Sequence, residues 1–423
     1  MRDQVAGILN IPIGKIRVIP LEIGGGFGGK DAAYLDPLAA VLSKRTGRPV
    51  RMSMRRDEVL RATGPSSGTQ IRVKIGATKD GRLVAADLEC AYEAGAFPGG
   101  PVGPAIMVAT NRYRIPHQKI VGYDVLVNKP KIKPYRAPGA IPVNFAVETV
   151  MDELARELGL DPLEFRMMNA MATGDRMVSG LPCGKFDGKG LLEAMRKHPH
   201  YTAPKAAGTV GRGAAYAFYM HIGMQSDARV MVNTDGTVQL CTGSCDLSGT
   251  RLSLAMQLAE VFGIDVDRIS ASVGATDAIG YTFTSCGSRT TFATGLAVIK
   301  AGEMVLAAMR SRAALLWKVD PATIAFTDGR FHHNENEQLT MSFQELCSKL
   351  SETGGTISMS ATVSPSDIGI QVAGHIVDVS VDTATGKVQL LRHTAFQDVG
   401  KAVHRGWSAA RCKAPPHKVS GGR

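Results

Sequence analysis

The chain has 423 residues, of which 44% are hydrophobic and 21% are charged. This composition is typical of a globular protein with two or more packed cores, and it excludes a chain that is disordered throughout. The net charge of +11 would suit a nucleic-acid partner, but lysine and arginine are scattered without a basic run of five residues. We therefore expect a solvated basic surface and no nucleic-acid partner.

The N-terminus, "MRDQVAGILN", lacks the long apolar core of a signal peptide, and no stretch is expected to reach the length of a membrane span. The 7 cysteines include no C-x-x-C pair, which indicates a reducing compartment and provides no framework for an iron–sulfur cluster or for zinc. These features predict a cytoplasmic protein with no membrane span and no metal held by its own side chains.

Two phosphate-binding patterns begin at Gly24 in "GGGFGGKD": G-x-x-x-x-G-K, which ends at Lys30, and G-x-G-x-x-G, which ends at Gly29. A strand is predicted before them in "KIRVIPLEI" and a helix after them in "DAAYLDPLAAVLSKRTG". Asp31 stands where a P-loop needs serine or threonine, and a dinucleotide-binding fold would have to use Asp57, which comes late. Both patterns are therefore weak evidence for a nucleotide site.

Two further helices are predicted after these motifs. The segment "NFAVETVMDELAREL" has apolar residues along one face and ends before Gly159. The segment "LDPLEFRMMNAM" begins the next helix, with Asp161 as its N-cap, Pro162 at its first position and Glu164 placed for a capping box. These signals concern structure and carry no chemistry.

A domain boundary is predicted where "MATGDRMVSGLPCGKFDGKG" loses periodicity. We expect a first lobe over residues 1–175, a linker over 176–200 and a second lobe over 201–404. The second half repeats the order helix, turn, strand and glycine loop before a long helix. Four hairpins are predicted at glycine turns in "TKDGRLV", "NTDGTVQL", "FTDGRF" and "TATGKVQL". The fold class is therefore α+β, with duplicated units.

Common catalytic signatures such as G-x-S-x-G and H-E-x-x-H are absent from the sequence. Three separated segments are instead rich in backbone donors: "GGGFGGKD", "KPYRAPGA" and "TSCGSRTT". Glycine lets the backbone approach an anion closely, Arg136 supplies a charge, and Ser288 and Thr290 stand at the start of the long helix. Together the segments predict an anion-binding site, whereas any one alone would be an ordinary turn.

The chain resembles the molybdenum-binding subunit of the xanthine dehydrogenase and aldehyde oxidase family of molybdenum hydroxylases. The resemblance lies in "GGGFGGKD", "PYRAPGA", "FAVETVMDELARELGLDPLEFRMMNA", "GSRTTFATG" and "VAGHIVDVSVDTATGKVQLLRHTAFQDVGKAV", which occur in the family's order. It implies a two-lobed molybdopterin-binding domain built from repeated mixed α/β units. It also implies hydroxylation of an aldehyde or N-heteroaromatic substrate with water as the oxygen source, molybdopterin in its cytosine dinucleotide form, and iron–sulfur and FAD partner subunits.

By this resemblance the glycine loop holds neither ATP nor NAD but packs against the molybdopterin and its metal. Asp31 occupies the place of a substrate-binding glutamate, although an acid in the first turn of a helix is an equal alternative. No residue is assigned as the catalytic base, because the family's catalytic glutamate is expected downstream of the chain end. The residues assigned to the cofactor are Gly26, Phe27, Gly28, Arg136, Gly287, Ser288, Arg289 and Thr290.

Several positions depart from the family's pattern. Gly249 occupies a place where many relatives carry a glutamine beside the metal. Ala137 and Pro138 follow Arg136 where purine-oxidising relatives have glycine and an aromatic residue, so xanthine is disfavoured. Ala137 also replaces the copper-binding cysteine of the carbon monoxide dehydrogenase branch, and alanine cannot ligate copper.

Residues 405–423, "RGWSAARCKAPPHKVSGGR", do not follow the family's pattern, and a shifted reading frame with suitable codons would restore it. We expect this tail to be frame-shifted and unstructured, and the chain to be a fragment that is inactive alone. Two rival hypotheses stay open. One is a non-catalytic fragment or pseudogene product that binds no cofactor, and the other is a P-loop-like nucleotide-binding enzyme.

Overall fold

The computed structural model of the protein describes residues 1–205, 208, 210–404 and 406, so the predicted frame-shifted tail lies, except for one residue, outside the described residues. The helices are α1 (Arg2–Leu9), α2 (Asp36–Thr46), α3 (Arg56–Ala62), α4 (Val102–Val108), α5 (Ala140–Glu157), α6 (Pro162–Asn169), α7 (Gly188–Lys197), α8 (Pro199–Thr202), α9 (Thr250–Phe262), α10 (Gly295–Trp317) and α11 (Phe343–Ser348). The strands are β1 (Thr69–Ala77), β2 (Leu83–Gly95), β3 (His117–Leu126), β4 (Val210–His221), β5 (Ser226–Val232), β6 (Val238–Thr242), β7 (Ile269–Val273), β8 (Ile324–Thr327), β9 (Arg330–His333), β10 (Thr340–Ser342), β11 (Ile357–Val363), β12 (Gly369–Val381) and β13 (Val388–Asp398).

The chain divides into two compact units, each built from separate stretches of sequence. The first unit contains residues 1–53 and 222–367, and the second contains residues 54–221 and the chain from 368 onward. This division differs from the predicted continuous lobes because β12 pairs antiparallel with β4 along nearly its whole length. Strand pairing between distant stretches therefore decides which residues share a core.

The first unit carries a four-stranded sheet in the order β11–β5–β6–β7 and a small sheet in the order β10–β9–β8. Helices α9 and α10 pack together, and α10 also lies against β5 and β11. Val298, Val305 and Met309 of α10 are fully buried in one cluster with Val230 and Leu240 of the sheet. Burial of these apolar side chains is the main stabilising contribution to this unit.

The second unit contains two three-stranded sheets, ordered β1–β2–β3 and β13–β12–β4. Helix α5 lies against β1, and its Val147 and Met151 are fully buried in a cluster with Leu88 and Phe218. The same helix carries Glu148, which is also buried. This helix begins directly after the segment that contains Arg136, so its packing fixes one end of that segment.

A buried ionic network surrounds Glu148. Its carboxylate accepts hydrogen bonds from Arg112 Nε at 3.0 Å and from Arg166 Nε at 2.8 Å. Tyr113 donates its hydroxyl at 2.5 Å and the Tyr216 backbone N–H donates at 2.8 Å. Burial alone would raise the pKa of Glu148, but the two guanidinium groups hold it below its ordinary value.

The four predicted hairpins are confirmed. Each turns at a glycine with a left-handed backbone: Gly81 at φ 89°, Gly236 at 79°, Gly329 at 75° and Gly386 at 70°. Positive φ is a conformation that glycine adopts at little cost, which explains why these turns could be recognised from sequence.

The predicted helices are also present, as α2, α5, α6 and α10. Asp161 caps α6 as expected, because its Oδ1 accepts from the backbone N–H groups of Leu163 and Glu164 at 3.0 and 2.9 Å. The expected capping box is not formed. The Glu164 carboxylate lies 3.8 Å from the Arg196 guanidinium instead of accepting a hydrogen bond from the backbone N–H of Asp161.

The strand predicted in "KIRVIPLEI" is wrong, because Lys15 ends a short 3-10 helix and none of the residues that follow it in this segment belongs to a strand. Val18 N–H donates to Thr276 Oγ1 at 3.0 Å, and the Val18 carbonyl accepts from Thr276 N–H at 3.1 Å. Contacts with a single residue do not make a ladder. The predicted linker over 176–200 likewise contains α7, whose Leu192 and Met195 are fully buried in the second unit.

The expectation that no stretch has the length of a membrane span also needs correction. The helical stretch Thr290–Trp317 is 28 residues long, with a mean hydropathy of 1.5 in its most apolar window, so it is long and apolar enough by length and composition. Its Ala297, Val298 and Ala301 are fully buried inside the first unit. Core helices of globular proteins have the same properties, so the stretch is weak evidence for a span.

Candidate functional site

The predicted glycine loop has a left-handed backbone at three positions. Gly24 has φ 66°, Phe27 has φ 52° and Gly28 has φ 94°. For a side chain such as Phe27 this conformation is costly, and such strain is found where the surrounding structure holds a loop in a functional shape. Phe27 also keeps 41% of its surface exposed. The loop therefore presents glycine backbone and one aromatic side chain to the surface of the first unit.

A second loop, residues 244–249, holds the glycine loop in place. Gly24 pairs with Leu247 in a short parallel bridge, and Ser248 N–H donates to the Gly24 carbonyl at 3.1 Å. A Cβ atom on Gly26 would lie 2.9 Å from Leu247 Cδ2, so only glycine fits there without movement. The backbone of this second loop is left-handed at Ser248 and Gly249, with φ 56° and 81°.

The third segment, residues 284–290, shows the same feature. Gly287 and Ser288 have φ 55° and 54°, and the Ser288 side chain is exposed. The Ile222 N–H donates to the Gly287 carbonyl at 3.1 Å, and a Cβ on Gly287 would lie 2.7 Å from Ile222 Cγ1. The segment then enters a π-helical turn, Thr290–Thr294, which leads into α10. Thr290 itself is buried.

Arg289 is fully buried, and its guanidinium faces main-chain oxygens of the first unit. Nε donates to the Gly223 carbonyl at 2.6 Å, Nη1 to the Phe283 carbonyl at 3.0 Å, and Nη2 to the Met224 carbonyl at 2.9 Å. Burial lowers the pKa of Arg289. Among the described residues no carboxylate lies within 4.0 Å of it. The predicted cofactor contact by Arg289 therefore stays a prediction for its backbone, because its side chain is engaged elsewhere.

Asp31 lies just beyond the glycine loop, where Gln4 of α1 fixes the backbone. Gln4 Nε2 donates to the Asp31 carbonyl at 3.3 Å, and Gln4 Oε1 accepts from Ala33 N–H at 2.8 Å. Asp31 Oδ1 is buried and has no hydrogen-bond partner within the part of the chain that the structure describes. Such an acceptor is unusual and calls for a donor.

The charge of the Asp31 carboxylate also affects the pKa of Cys286 in the third segment. Burial raises the pKa of the Cys286 thiol, the nearby Arg289 opposes this effect, and Asp31 raises it further. Burial and then Asp31 raise the pKa of Tyr34 as well. A charge effect of this kind requires the groups to be close.

Hydrogen bonds join the three segments: Ser248 N–H donates to the Gly24 carbonyl at 3.1 Å, and Ser244 Oγ lies 2.7 Å from Thr294 Oγ1 in the turn that follows residues 284–290. The glycine loop, residues 244–249 and residues 284–290 therefore form one cluster of loops in the first unit, which we term the loop cluster.

Arg136 belongs to the second unit, where it is exposed. It precedes Ala137, which has φ 58°, and Gly139, which has φ 73° and whose carbonyl accepts the Tyr92 hydroxyl at 2.7 Å. A Cβ on Gly139 would lie 2.2 Å from the Pro101 carbonyl oxygen. The "PYRAPGA" segment therefore has the same left-handed character as the loop cluster.

The geometry of the glycine loop differs from that of a P-loop. Lys30 Nζ donates to the Ile23 carbonyl at 2.7 Å, α2 begins only at Asp36, and no strand precedes the loop within residues 1–53. A P-loop requires a strand directly before and a helix directly after its phosphate-binding backbone.

Sequence reasoning missed the part played by residues 244–249. In the sequence Gly249 stands out only as a replacement for glutamine, yet it is the N-cap of α9. Thr294 lies in the "GSRTTFATG" motif, but its hydroxyl contacts with Ser226 Oγ at 3.1 Å and Ser244 Oγ at 2.7 Å carry no sequence signal. Buried hydroxyl contacts between distant residues have no periodicity, so a pattern search cannot find them.

Two protein-family models, each described as a molybdopterin cofactor-binding domain, match this chain, one over residues 1–170 and the other over residues 192–408. The chain is 29% identical over 413 residues to a probable xanthine dehydrogenase subunit of Bacillus subtilis, covering 92% of this chain and 55% of the relative. It is 28% identical over 421 residues to the aldehyde oxidoreductase molybdenum-binding subunit PaoC of Escherichia coli, covering 95% and 55%. The chain therefore spans about half the length of these relatives.

Solved structures agree with the fold. Quinoline 2-oxidoreductase from Pseudomonas putida 86 superposes with a TM-score of 0.87 at 23% identity, over 97% of this chain and 57% of that chain. Carbon monoxide dehydrogenase from Oligotropha carboxidovorans superposes with a TM-score of 0.86 at 22% identity, over 97% and 56%. At these identities the likeness establishes a shared two-lobed α+β fold.

Proposed function

This chain belongs to the molybdenum-binding subunits of the xanthine dehydrogenase and aldehyde oxidase family, and we propose that it forms the molybdopterin-binding part of an enzyme that hydroxylates an aldehyde or an N-heteroaromatic substrate, with water as the oxygen source. The observation that carries the proposal is the loop cluster, because three glycine-bearing loops with left-handed backbones meet in the first unit.

The residues of the loop cluster fit an anionic, planar group such as molybdopterin. Gly28 has a left-handed backbone and no side chain, which allows close approach to the loop. The glycines at 26 and 287 instead leave room for Leu247 and Ile222, which hold the loops in this shape. Arg289 places a buried positive charge beside the cluster without a carboxylate near it in the described chain, so an anion there is favoured.

The proposed cofactor residues divide into two groups. Gly26, Phe27 and Gly28 would pack against the metal end of the cofactor, and Arg136 would contact the pterin. The remaining contacts would come from the backbone and hydroxyl groups of Gly287, Ser288, Arg289 and Thr290. When bound, the cofactor would supply the electron-accepting centre at which an electron-poor carbon of the substrate is hydroxylated.

Asp31 is proposed to bind substrate. Its buried oxygen would accept a hydrogen bond from a polar group of the substrate, and its loop is held by Gln4 rather than by helix formation. Ala137 and Pro138 present no aromatic side chain after Arg136. A small aldehyde, or an N-heteroaromatic compound other than xanthine, is therefore favoured.

The cytosine dinucleotide form of the cofactor and iron–sulfur and FAD partner subunits complete the proposal. Electrons from the substrate need an acceptor, and the described residues contain no group of three or more His, Cys, Asp or Glu side chains placed for a metal. We also propose a cytoplasmic location, supported by the six described cysteines, all of which are free.

The test uses the full chain, purified from a host that makes the cytosine dinucleotide cofactor. Molybdenum and cytidine nucleotide released by acid should be present in equal amounts. Arg136→Gln should lower both, whereas Arg72→Gln, which alters another exposed arginine of the same unit, should lower neither. A folded chain that contains neither molybdenum nor nucleotide would overturn the proposal. Binding of an aldehyde probe and of an N-heteroaromatic probe to the cofactor-loaded chain, measured without turnover, would then separate the substrate classes.

A further inference from the structure

Buried hydroxyl groups connect the three parts of the loop cluster. Thr294, the last residue of the π-helical turn, is fully buried. Its Oγ1 lies 3.1 Å from Ser226 Oγ and 2.7 Å from Ser244 Oγ. Both serine side chains are also buried, at 0% and 4% exposure. One hydroxyl of the turn that leads into α10 therefore contacts two other segments of the first unit at once.

The contact with Ser226 leads to residues 284–290. Arg289 Nη2 donates to Ser226 Oγ at 2.5 Å. Since arginine can only donate, Ser226 accepts this bond and its own proton is available for Thr294. The same guanidinium holds the Gly223 and Met224 carbonyls, so Ser226 and Arg289 fix the segment in which Gly287 and Ser288 adopt positive φ.

The contact with Ser244 leads to the glycine loop. Ser244 begins the loop over residues 244–249, whose Ser248 N–H binds the Gly24 carbonyl at 3.1 Å. The Leu247 side chain of that loop fills the space beside Gly26. A change in the position of Ser244 is therefore transmitted to the glycine loop through these two contacts.

We propose that Thr294 is a positioning residue for cofactor binding, whose hydroxyl sets the placement of residues 284–290 relative to residues 244–249 and, through them, of the glycine loop. The π-helical geometry of Thr290–Thr294 supports this role, because such turns are retained in helices mostly where they serve a site. The inference rests on the proposed function only for the identity of the ligand. The role of the hydroxyl in placing the loops is independent of it.

The test compares Thr294→Val, which keeps the shape and removes the hydroxyl, with Thr294→Ser, which keeps the hydroxyl. Hydrogen exchange of the cofactor-free full chain is measured by peptide. Thr294→Val should speed exchange about tenfold in residues 24–30 and 244–249, because the buried Ser244 hydroxyl loses its contact with Thr294, whereas Ser226 keeps its bond from Arg289. Thr294→Ser should exchange as the wild type does. Cofactor content after purification should fall in parallel with the change in exchange.

Val305→Ala is the stability control, since Val305 is fully buried in the same helix but touches none of these loops through a hydrogen bond. It should lower the unfolding midpoint without selective exchange in the loops. Ser244→Ala removes only the contact between Ser244 and Thr294. It keeps the proposal testable if Thr294→Val does not fold. It should loosen residues 24–30 and 244–249 and leave residues 284–290 unchanged.

Exchange changes confined to α10, or equal to those of Val305→Ala, would overturn the role of Thr294 while leaving the proposed function standing. Conversely, a wild-type chain without molybdenum would remove the proposed function, but the exchange comparison would still decide whether the Thr294 hydroxyl places the loops.

Discussion

Leu247 Cδ2 lies 2.9 Å from the point at which a side chain on Gly26 would begin. Leu247 is also the residue through which Gly24 is bridged, so the loop over residues 244–249 occupies the space that a larger residue at position 26 would need. A side chain at position 26 would therefore require the end of the Leu247 side chain to move, whether or not a cofactor is bound there.

Gly26→Ala should lower the free energy of unfolding by about 1 kcal/mol, because the new methyl group displaces Leu247. Gly14→Ala is the matched control, since a Cβ there meets nothing within 4 Å and the backbone does not have positive φ. This control should be neutral or stabilising by about 0.5 kcal/mol. Urea unfolding of both variants gives the comparison. Equal destabilisation by the two would show that Leu247 does not constrain position 26.

Two substitutions at Ser288 distinguish the effect of its strained backbone from the effect of its hydroxyl group. With φ 54°, Ser288→Gly should be more stable than Ser288→Ala by about 1 kcal/mol, because glycine accepts this conformation and alanine does not. Both variants lack the hydroxyl, so both should lose cofactor content to a similar degree if that hydroxyl binds the cofactor. Cofactor retained by Ser288→Gly but lost by Ser288→Ala would instead assign the role to the backbone.

Sequence patterns succeeded where a local rule determines the structure. Asp161 could be recognised as an N-cap and Gly236 as a hairpin turn because each acts on its immediate neighbours. The segment around Val18 has strand-like composition, yet it is not a strand because no second strand lines up beside it in the described chain. Strand formation depends on a partner from elsewhere in the chain, and composition does not supply one.

The candidate site follows the same rule. The glycines of the loop cluster could be recognised, and so could Ser288, because turn-forming residues stand out in a sequence. Arg289 is assigned to the cofactor from the sequence, and that assignment stays a prediction; its side chain donates to the Gly223 and Phe283 carbonyls, which no sequence pattern indicates. The Thr294 contacts join residues 68 and 50 positions apart, and no spacing rule applies at such separations.

The stability of the second unit should depend on pH through the ionisation of Asp378. The Arg212 guanidinium donates to its carboxylate at 2.7 and 2.8 Å, and His200 Nε2 lies 3.3 Å from it. Arg212 first and His200 second lower the pKa of Asp378 from 3.8 to about 2. Since the folded value lies below the unfolded value, the stabilisation is present above pH 3.8 and is lost as the pH falls towards about 2.

Asp378→Asn should therefore be less stable than the wild type at neutral pH, because Arg212 keeps no charged partner, and the difference should shrink as the pH falls to about 2. Urea unfolding of the two proteins at a series of pH values measures this. A difference that stays constant down to the lowest pH would mean that the ion pair does not carry the stabilisation.

Glu148→Gln tests the buried network of the second unit. The change leaves Arg112 and Arg166 charged and fully buried, with 0% of each side chain exposed, and removes the carboxylate that both contact. Arg166 keeps Asp152 at 2.7 Å, but Arg112 has no other carboxylate partner among the described residues. The free energy of unfolding should therefore fall by about 3–5 kcal/mol, because an uncompensated charge in the interior is costly.

Glu193→Gln, which breaks an exposed pair with Lys197 in the same unit, should have little effect. The two variants differ in burial but not in the chemistry of the substitution. Similar losses from both would therefore show that water or other groups reach Arg112 and Arg166 and compensate their charge.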